Sequence, residues 1–337
     1  NLSKLRPQGA RLKTFGGRSS GPGPLDETLH FIKHMIENHR ERKLSSVNMF
    51  DIVTKIAASV VVGGVRRSSI ITLSDLYDRG MRDSKKGQFW ITNSHRAMSN
   101  NSAIYDQKPT SVDFMKEWLT LAESGTGERG IFNRSSINSL IPKRRRKRQD
   151  WTTNPCGEII LRPRGLCNLS EVGIRADDTL ETLMEKVKVA TMIGTIQSGL
   201  TNFKFLNDLH PDWEKNATEE RLLGVSLTGQ MDNPEILTED NLQSLRDYAI
   251  GVNVETAGRL NITRSAAITT TKPSGTASLL VNSASGFHPR FSDYYIRRVR
   301  ISTTDPLYKM LKDQGLHFQP EVGQPEDTAQ TWVCEFP

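Results

Sequence analysis

Cysteine is nearly missing from this chain: three occur in 337 residues, at positions 156, 167 and 334. So sparse and odd a set, without framework spacing, excludes a secreted disulfide scaffold and fits a reducing, cytoplasmic setting. No Cys-x-x-Cys pair and no Cys/His cluster occurs, so no metal site is expected. No apolar run reaches the roughly eighteen residues of a membrane span. A secretory leader is not expected either, because Asn1-Leu2-Ser3-Lys4 runs straight into polar, glycine-rich sequence. Repeats of fixed period are lacking, and no glycine loop ends in the Gly-Lys-Ser/Thr of a Walker site.

What is present is basic charge. Forty-five Lys and Arg against 38 Asp and Glu give a net charge of +7, which suits nucleotide phosphates or nucleic acid. The densest run, Lys143-Arg144-Arg145-Arg146-Lys147-Arg148, has no interleaved aromatic and no recognised nucleic-acid module around it. It is expected to be a solvated surface loop, and no nucleic-acid partner is expected. A chain of 37.8 kDa with 36% hydrophobic and 25% charged residues can bury a full core in one large domain or two ordinary ones. It opens without Met and stops inside Val333-Cys334-Glu335-Phe336-Pro337, so both ends read as cut. Cys334 reads as a core residue.

Residues 9–24 form a glycine-rich loop carrying Lys13 and Arg18, a type of loop that can turn backbone N–H groups toward phosphate or merely connect two elements. Asp26 is expected to cap a helix with an apolar stripe at Leu25, Leu29, Ile32 and Ile36. A second helix is expected from Asn48 to Gly63-Gly64, then a β-branched strand over 65–73 with Arg66 and Arg67 at its start. Residues 87–105 read as strand, loop and strand, with His95 as a polar loop residue. Helices follow at 111–123, from Leu180 and at 240–258, with a buried strand over 220–229. Alternating strands and helices of these lengths give an α/β architecture rich in parallel sheet. Near the end, Ile268-Thr269-Thr270-Thr271 runs into Lys272-Pro273-Ser274-Gly275-Thr276-Ala277-Ser278. A strand, a small-residue turn and a helix start can hold an anion, or can be an ordinary capped helix.

The stretch that organises the chain is Thr153-Asn154-Pro155-Cys156-Gly157-Glu158, followed eleven residues past the cysteine by Cys167 in Gly165-Leu166-Cys167-Asn168-Leu169-Ser170. Alternation along an extended loop would turn Asn154, Cys156 and Glu158 to one face: an amide, a thiol and a carboxylate aimed at one small volume. Pro155 stiffens the approach and Gly157 lets the backbone come close to a ligand. Taken alone, the same residues also fit a small buried cysteine in a turn.

With these pieces in order, the chain resembles the catalytic subunit of ribonucleotide reductase, and its Asn-Pro-Cys-Gly-Glu stretch resembles the adenosylcobalamin-dependent class II branch. The matching stretches run from Gly9–Pro24 through Val61–Ser68, Phe89–Ala103, Gly125–Arg134, Asn154–Val172, Glu220–Asp232 and Lys272–Leu280 to Tyr295–Ile301. The resemblance implies a ten-stranded α/β barrel of two parallel five-stranded half-sheets, present in part over 1–337, with a central finger loop. Residues 9–105 would be the effector and specificity region, and 150–337 the finger loop and phosphate-binding half. Cys156 would carry a thiyl radical, Glu158 would be the base on the 3′-hydroxyl, Asn154 would hold the sugar hydroxyls, and Cys167 would be half of a reducing pair. Ser274, Gly275, Thr276, Ala277 and Ser278 would hold the substrate phosphates. Lys13, Arg18, Ser19, Arg66, Arg67 and Arg96 would belong to the effector and specificity loops.

The same resemblance implies adenosylcobalamin as cofactor, a ribonucleoside triphosphate as substrate, a dNTP or ATP effector and a thioredoxin-type reductant. Cys167's partner would lie upstream of Asn1 and a further cysteine pair beyond Pro337, so the chain reads as a fragment or one piece of a split enzyme. Three other readings are a class I large subunit fed by an external radical generator, a nucleotide-binding fragment without chemistry, and a nucleic-acid-binding module built on residues 143–148.

Overall fold

Helix Ser46–Ser59 shows how closely local sequence sets this architecture. Ser45 Oγ accepts the Asn48 N–H while the Asn48 side chain accepts the Ser45 N–H, a reciprocal cap that starts the helix ahead of the expected Asn48. The computed structural model describes residues 2–13, 18–62, 65–66, 68–303, 305–322, 324–327, 329 and 331–337. They divide into two units, Asn1–Phe132 with Tyr294–Pro337, and Asn133–Asp293.

In the first unit, helix Gly23–Glu37 enters through prolines, with Pro22 at its cap and Pro24 in its first turn. Proline's fixed φ and missing N–H suit that position, so the helix begins before Asp26, which lies in the first turn instead of capping it. Strands Ile70–Asp75, Ser99–Ile104 and Gly130–Phe132 form a parallel sheet with Ser99–Ile104 in the middle. The strand expected over 65–73 is divided: Val65–Arg66 pairs with Val61–Val62, and the longer strand begins at Ile70. Gly63, Gly64 and Arg67 lie outside the described residues.

The expected strand at the start of 87–105 is instead helix Phe89–Thr92 and a 3-10 turn, Ser94–Met98. The cause is Asp51, buried on the second helix, which takes His95 Nε2 at 3.0 Å and Arg96 Nε and Nη2 at 2.6 and 2.8 Å. That grip folds the segment into a turn, which a short apolar run does not resist. At the chain's end Thr331–Phe336 lies between Arg297–Ser302 and Phe318–Pro320 in an antiparallel sheet. Cys334 faces Val299 and Phe318 there and is 0% exposed, a core residue as its apolar setting implied.

The second unit is built on a parallel pair, Asn168–Gly173 with Leu223–Thr228, extended by a parallel bridge from Val225 to Thr269. Helices Leu180–Gln197 and Glu239–Arg259 cover one face, and Val172, Ile174, Leu183, Val187, Leu223, Val225, Leu245 and Ile268 are buried in one core beneath them. Asn253 crosses that core: its amide donates to Thr195 Oγ1 and Ser265 Oγ and accepts the Ser265 N–H, which satisfies it where burial is complete. The described residues form five sheets of two or three strands. The mixed α/β class holds; the ten-stranded barrel is not among them.

Candidate active site

Cys156 sits at the tip of a β-hairpin. Thr152–Thr153 pairs antiparallel with Ile160–Leu161, with Thr153 opposite Ile160. Between them the Gly157 N–H donates to the Asn154 carbonyl at 3.0 Å, closing a four-residue turn with Pro155 second and Gly157 fourth. Cys156 stays out of the left-handed region, so the turn is type I, for which Asn first, Pro second and Gly fourth are the favoured residues. Gly157 takes φ +84°, where an L side chain would be strained. Asn154 Oδ1 accepts the Ile159 N–H at 2.9 Å and closes the loop from inside. The loop is therefore a tight turn, and strand-like alternation does not set the directions of Asn154, Cys156 and Glu158. The amide oxygen of Asn154 belongs to the loop's own framework.

The Cys156 and Cys167 thiols are free, and their surroundings favour the protonated form. Partial burial and the Glu158 carboxylate push the exposed Cys156 thiol up, with Lys272 pulling the other way. Deeper burial and the same carboxylate push Cys167 up to about 11. Glu158 thus acts on both sulfurs, and its Oε2 is buried without a hydrogen-bond partner. A raised pKa disfavours the thiolate a nucleophile needs and preserves the S–H bond that a hydrogen-atom donor needs.

The loop is tied to the segment preceding the small-residue turn. Thr270 Oγ1 donates to the Glu158 carbonyl at 3.0 Å, and Lys272 Nζ lies 3.3 Å from Glu171 Oε2. Gly224 allows this approach: a Cβ there would lie 2.4 Å from Leu169, 3.1 Å from Thr270 and 3.4 Å from Ile159. Of the five proposed phosphate ligands, Ser274 and Ser278 are buried and engaged with each other's turn. Ser274 Oγ accepts the Ser278 N–H and Ser278 Oγ donates to the Gly275 carbonyl, while Gly275, Thr276 and Ala277 are exposed at the start of helix Thr276–Leu280.

The basic run is the expected solvated loop only in part: Lys143, Arg146 and Lys147 are exposed, whereas Arg145 turns inward. Arg145 is buried; its guanidinium donates to both Glu220 oxygens at 2.7 and 2.9 Å and to the Ile160 carbonyl at 2.9 Å, and it stacks on Trp151 at 4.6 Å. Arg162 joins from the hairpin's far side, 3.2 Å from Glu220 Oε1 and 2.6 Å from Glu219 Oε2. Arg144 donates to the Glu219 carbonyl. Arg144 and Arg145 of the run, with Arg162, therefore form a clamp that fixes the hairpin to helix Asp212–Glu220.

The effector candidates lie in the other unit, where Lys13 is exposed. Arg18 donates to the Gly9 carbonyl and Ser19 Oγ to the Arg6 carbonyl, so both brace their own loop. Residues 14–17 and Arg67 lie outside the described residues, and Arg66 belongs to the two-residue strand. Arg96 spends its guanidinium on Asp51 and the Ser84 carbonyl. Sequence reading met Thr270 and Lys272 only as the lead into the small-residue turn, gave them no part in the thiol loop, and singled out neither Glu171 and Ser226 nor the Arg145–Glu220 clamp. Glu171 stood within the matched Asn154–Val172 stretch, and that was its only signal.

A cavity of about 480 Å³ opens behind Thr269–Thr271, lined also by Val187, Val225, Leu227, Gln230, Leu242, Leu245 and Arg246. Its size suits a nucleoside-sized ligand, though the thiol loop does not line it.

The chain is similar over its whole length to the adenosylcobalamin-dependent ribonucleoside-triphosphate reductase of Lacticaseibacillus paracasei, at 30% identity over 369 residues, and covers 48% of that protein. The enzyme of that name from Euglena gracilis is also 30% identical, with all of this chain and 46% of the relative covered. The chain is homologous to ribonucleotide reductases. It spans about half the length of the curated relatives it matches. A crystal structure of a B12-dependent, class II ribonucleotide reductase superposes with a TM-score of 0.67, covering 100% of this chain and 49% of that one, at 24% identity; this likeness bears on the fold. No protein-family model matches. Among the described residues no helix is long and apolar enough to cross a membrane.

Proposed function

We propose that the chain is the thiol-bearing part of a class II reductase that converts ribonucleoside triphosphates to 2′-deoxyribonucleotides. The observation that carries this reading is one carboxylate, Glu158, acting on two protonated thiols from a loop tied to the small-residue turn. A thiol exposed at a hairpin tip fits adenosylcobalamin, because a radical generator needs a reachable S–H bond. When bound, the cofactor supplies the oxidising power that removes the Cys156 hydrogen atom.

The chain's own residues do the rest. The Cys156 sulfur takes the 3′-hydrogen atom of the ribose, and Glu158 takes the 3′-hydroxyl proton as the 2′-hydroxyl leaves as water with a proton from the Cys167 thiol pair. Once that pair has given its two electrons and second proton, Glu158 returns its proton and Cys156 its hydrogen atom to C3′. Asn154 orients the sugar hydroxyls through its amide nitrogen. Cys167, with a second thiol outside this chain, gives two electrons and forms a disulfide that a thioredoxin-type reductant reopens. Gly275, Thr276 and Ala277 offer the phosphates backbone N–H groups, while Ser274 and Ser278 hold the turn in shape. The parallel strands at 168–173, 223–228 and 269 form part of one half of the ten-stranded barrel in the whole protein, with 150–337 as its finger-loop and phosphate half. Residues 9–105 bind a dNTP or ATP effector through Lys13, Arg18, Ser19 and the 65–67 arginines, with Arg96 shaping the specificity segment. Free thiols of this kind belong in a reducing cytoplasm.

A longer protein containing this chain, mixed with adenosylcobalamin, reductant and a ribonucleoside triphosphate, is expected to give a paramagnetic cob(II)alamin–thiyl signal that Cys156→Ala removes. Activity only with a separate metal-bearing subunit, and no signal with the cofactor, would favour the class I reading.

A further inference from the structure

One face of the central strand pair is polar where a core would be apolar. Glu171 stands opposite Ser226 in the parallel register, on the face where Ile159 and Thr270 pack over Gly224. Glu171 Oε2 takes Lys272 at 3.3 Å, yet Glu171 Oε1 and Ser226 Oγ are buried without hydrogen-bond partners, and Ser226 is 1% exposed. An ion pair kept for stability alone satisfies both carboxylate oxygens, because burying an unpaired one costs more than a single contact returns. Among the described residues, Lys272 is the cation that opposes Glu158 at the Cys156 sulfur. It also opens the turn that leads to Ser274.

We infer that Glu171 is a positioning residue for the thiol loop, holding Lys272 at the foot of the small-residue turn and neutralising its charge beside Cys156. This rests on the function proposed above, where the sulfur must keep its hydrogen until a radical removes it. An uncompensated ammonium nearby would favour the thiolate, which has no hydrogen atom to give. The charged groups acting on the sulfur are Glu158 on its own loop and Lys272 on the segment tied to that loop; Glu171 bears on it through Lys272, and Glu158 acts on Cys167 as well.

The test reads the thiol directly and involves no turnover, so its result stands apart from whether the loop reduces nucleotides. Iodoacetamide alkylation of Cys156, mapped by mass spectrometry across pH in the intact chain, gives a midpoint for the thiolate. Glu171→Gln is expected to lower that midpoint by about one pH unit, and Lys272→Met, which leaves Glu171 uncompensated, to raise it by a similar amount. Glu171→Asp, which keeps the charge, is expected to return it most of the way to the parent value. A midpoint unmoved in folded Glu171→Gln or in folded Lys272→Met overturns the proposal. The two substitutions are independent, so the failure of one to fold leaves the other decisive.

Discussion

The Thr270 hydroxyl donates to the backbone carbonyl of Glu158 across 112 positions of sequence, joining the thiol hairpin to the strand end that leads into the small-residue turn. Acid, thiol and small-residue turn would otherwise be set by separate elements with no common reference. Thr270→Val keeps the shape and deletes the donor, leaving a half-buried carbonyl unpaired. The expected loss is about 1 kcal/mol by chemical denaturation, with faster iodoacetamide labelling of Cys156 as the loop loosens.

Gly224 should tolerate no side chain without moving that loop. A Cβ at 2.4 Å from Leu169 Cδ2 and 3.1 Å from Thr270 Cγ2 forces both to give, although the Leu169 end can swing outward. Gly224→Ala is expected at the low end of about 1–3 kcal/mol of destabilisation, with an altered Cys156 labelling rate. Parental stability and labelling together would show that the loop does not rest on this strand.

The Arg145–Glu220 pair should behave as a buried clamp, since both side chains are 3% exposed. Glu220→Gln leaves two guanidinium groups facing a neutral amide and is expected to cost about 3–5 kcal/mol, measured by urea denaturation. The double change Arg145→Met with Glu220→Leu, which removes both charges, should cost clearly less than either single change.

Much of this was legible in sequence, and what was not has physical causes. The long helices at 180–197 and 239–259 and the buried strand at 223–228 declared themselves because period and apolarity agree there. Strand Asn168–Gly173 did not, because Asn, Ser, Glu and Gly are poor strand formers and parallel pairing with Leu223–Thr228 imposes the conformation. The Asn-Pro-Cys-Gly-Glu stretch marked the thiol and its acid, but the tight turn followed from Pro155 and the Asn154 side chain, against simple alternation. The basic run misled because charge density indicates solvation only when no buried carboxylate waits across the fold, and Glu220 lies 75 positions from Arg145.

Stability should fall as alkali rises, for a definite reason. Burial and Glu158 raise the Cys167 thiol from its ordinary 9.0 to about 11, so the folded chain holds that proton more tightly than the unfolded chain does. The resulting stabilisation is complete below about pH 9 and disappears as pH rises through about 11. Under reducing conditions, denaturation midpoints should decline across that window, and Cys167→Ala should flatten the decline.

Everything proposed here depends on the Cys156 sulfur starting ribonucleotide reduction by taking the 3′-hydrogen atom, with the electrons coming from Cys167 and its partner thiol. The most direct test is the yield of 2′-deoxyribonucleotide from a ribonucleoside triphosphate, with adenosylcobalamin and a dithiol, by the longer protein that contains this chain and by its Cys156→Ser form. The account predicts deoxynucleotide from the parent and none from the serine form, with both folded and both binding nucleotide. Equal yields from the two would contradict it.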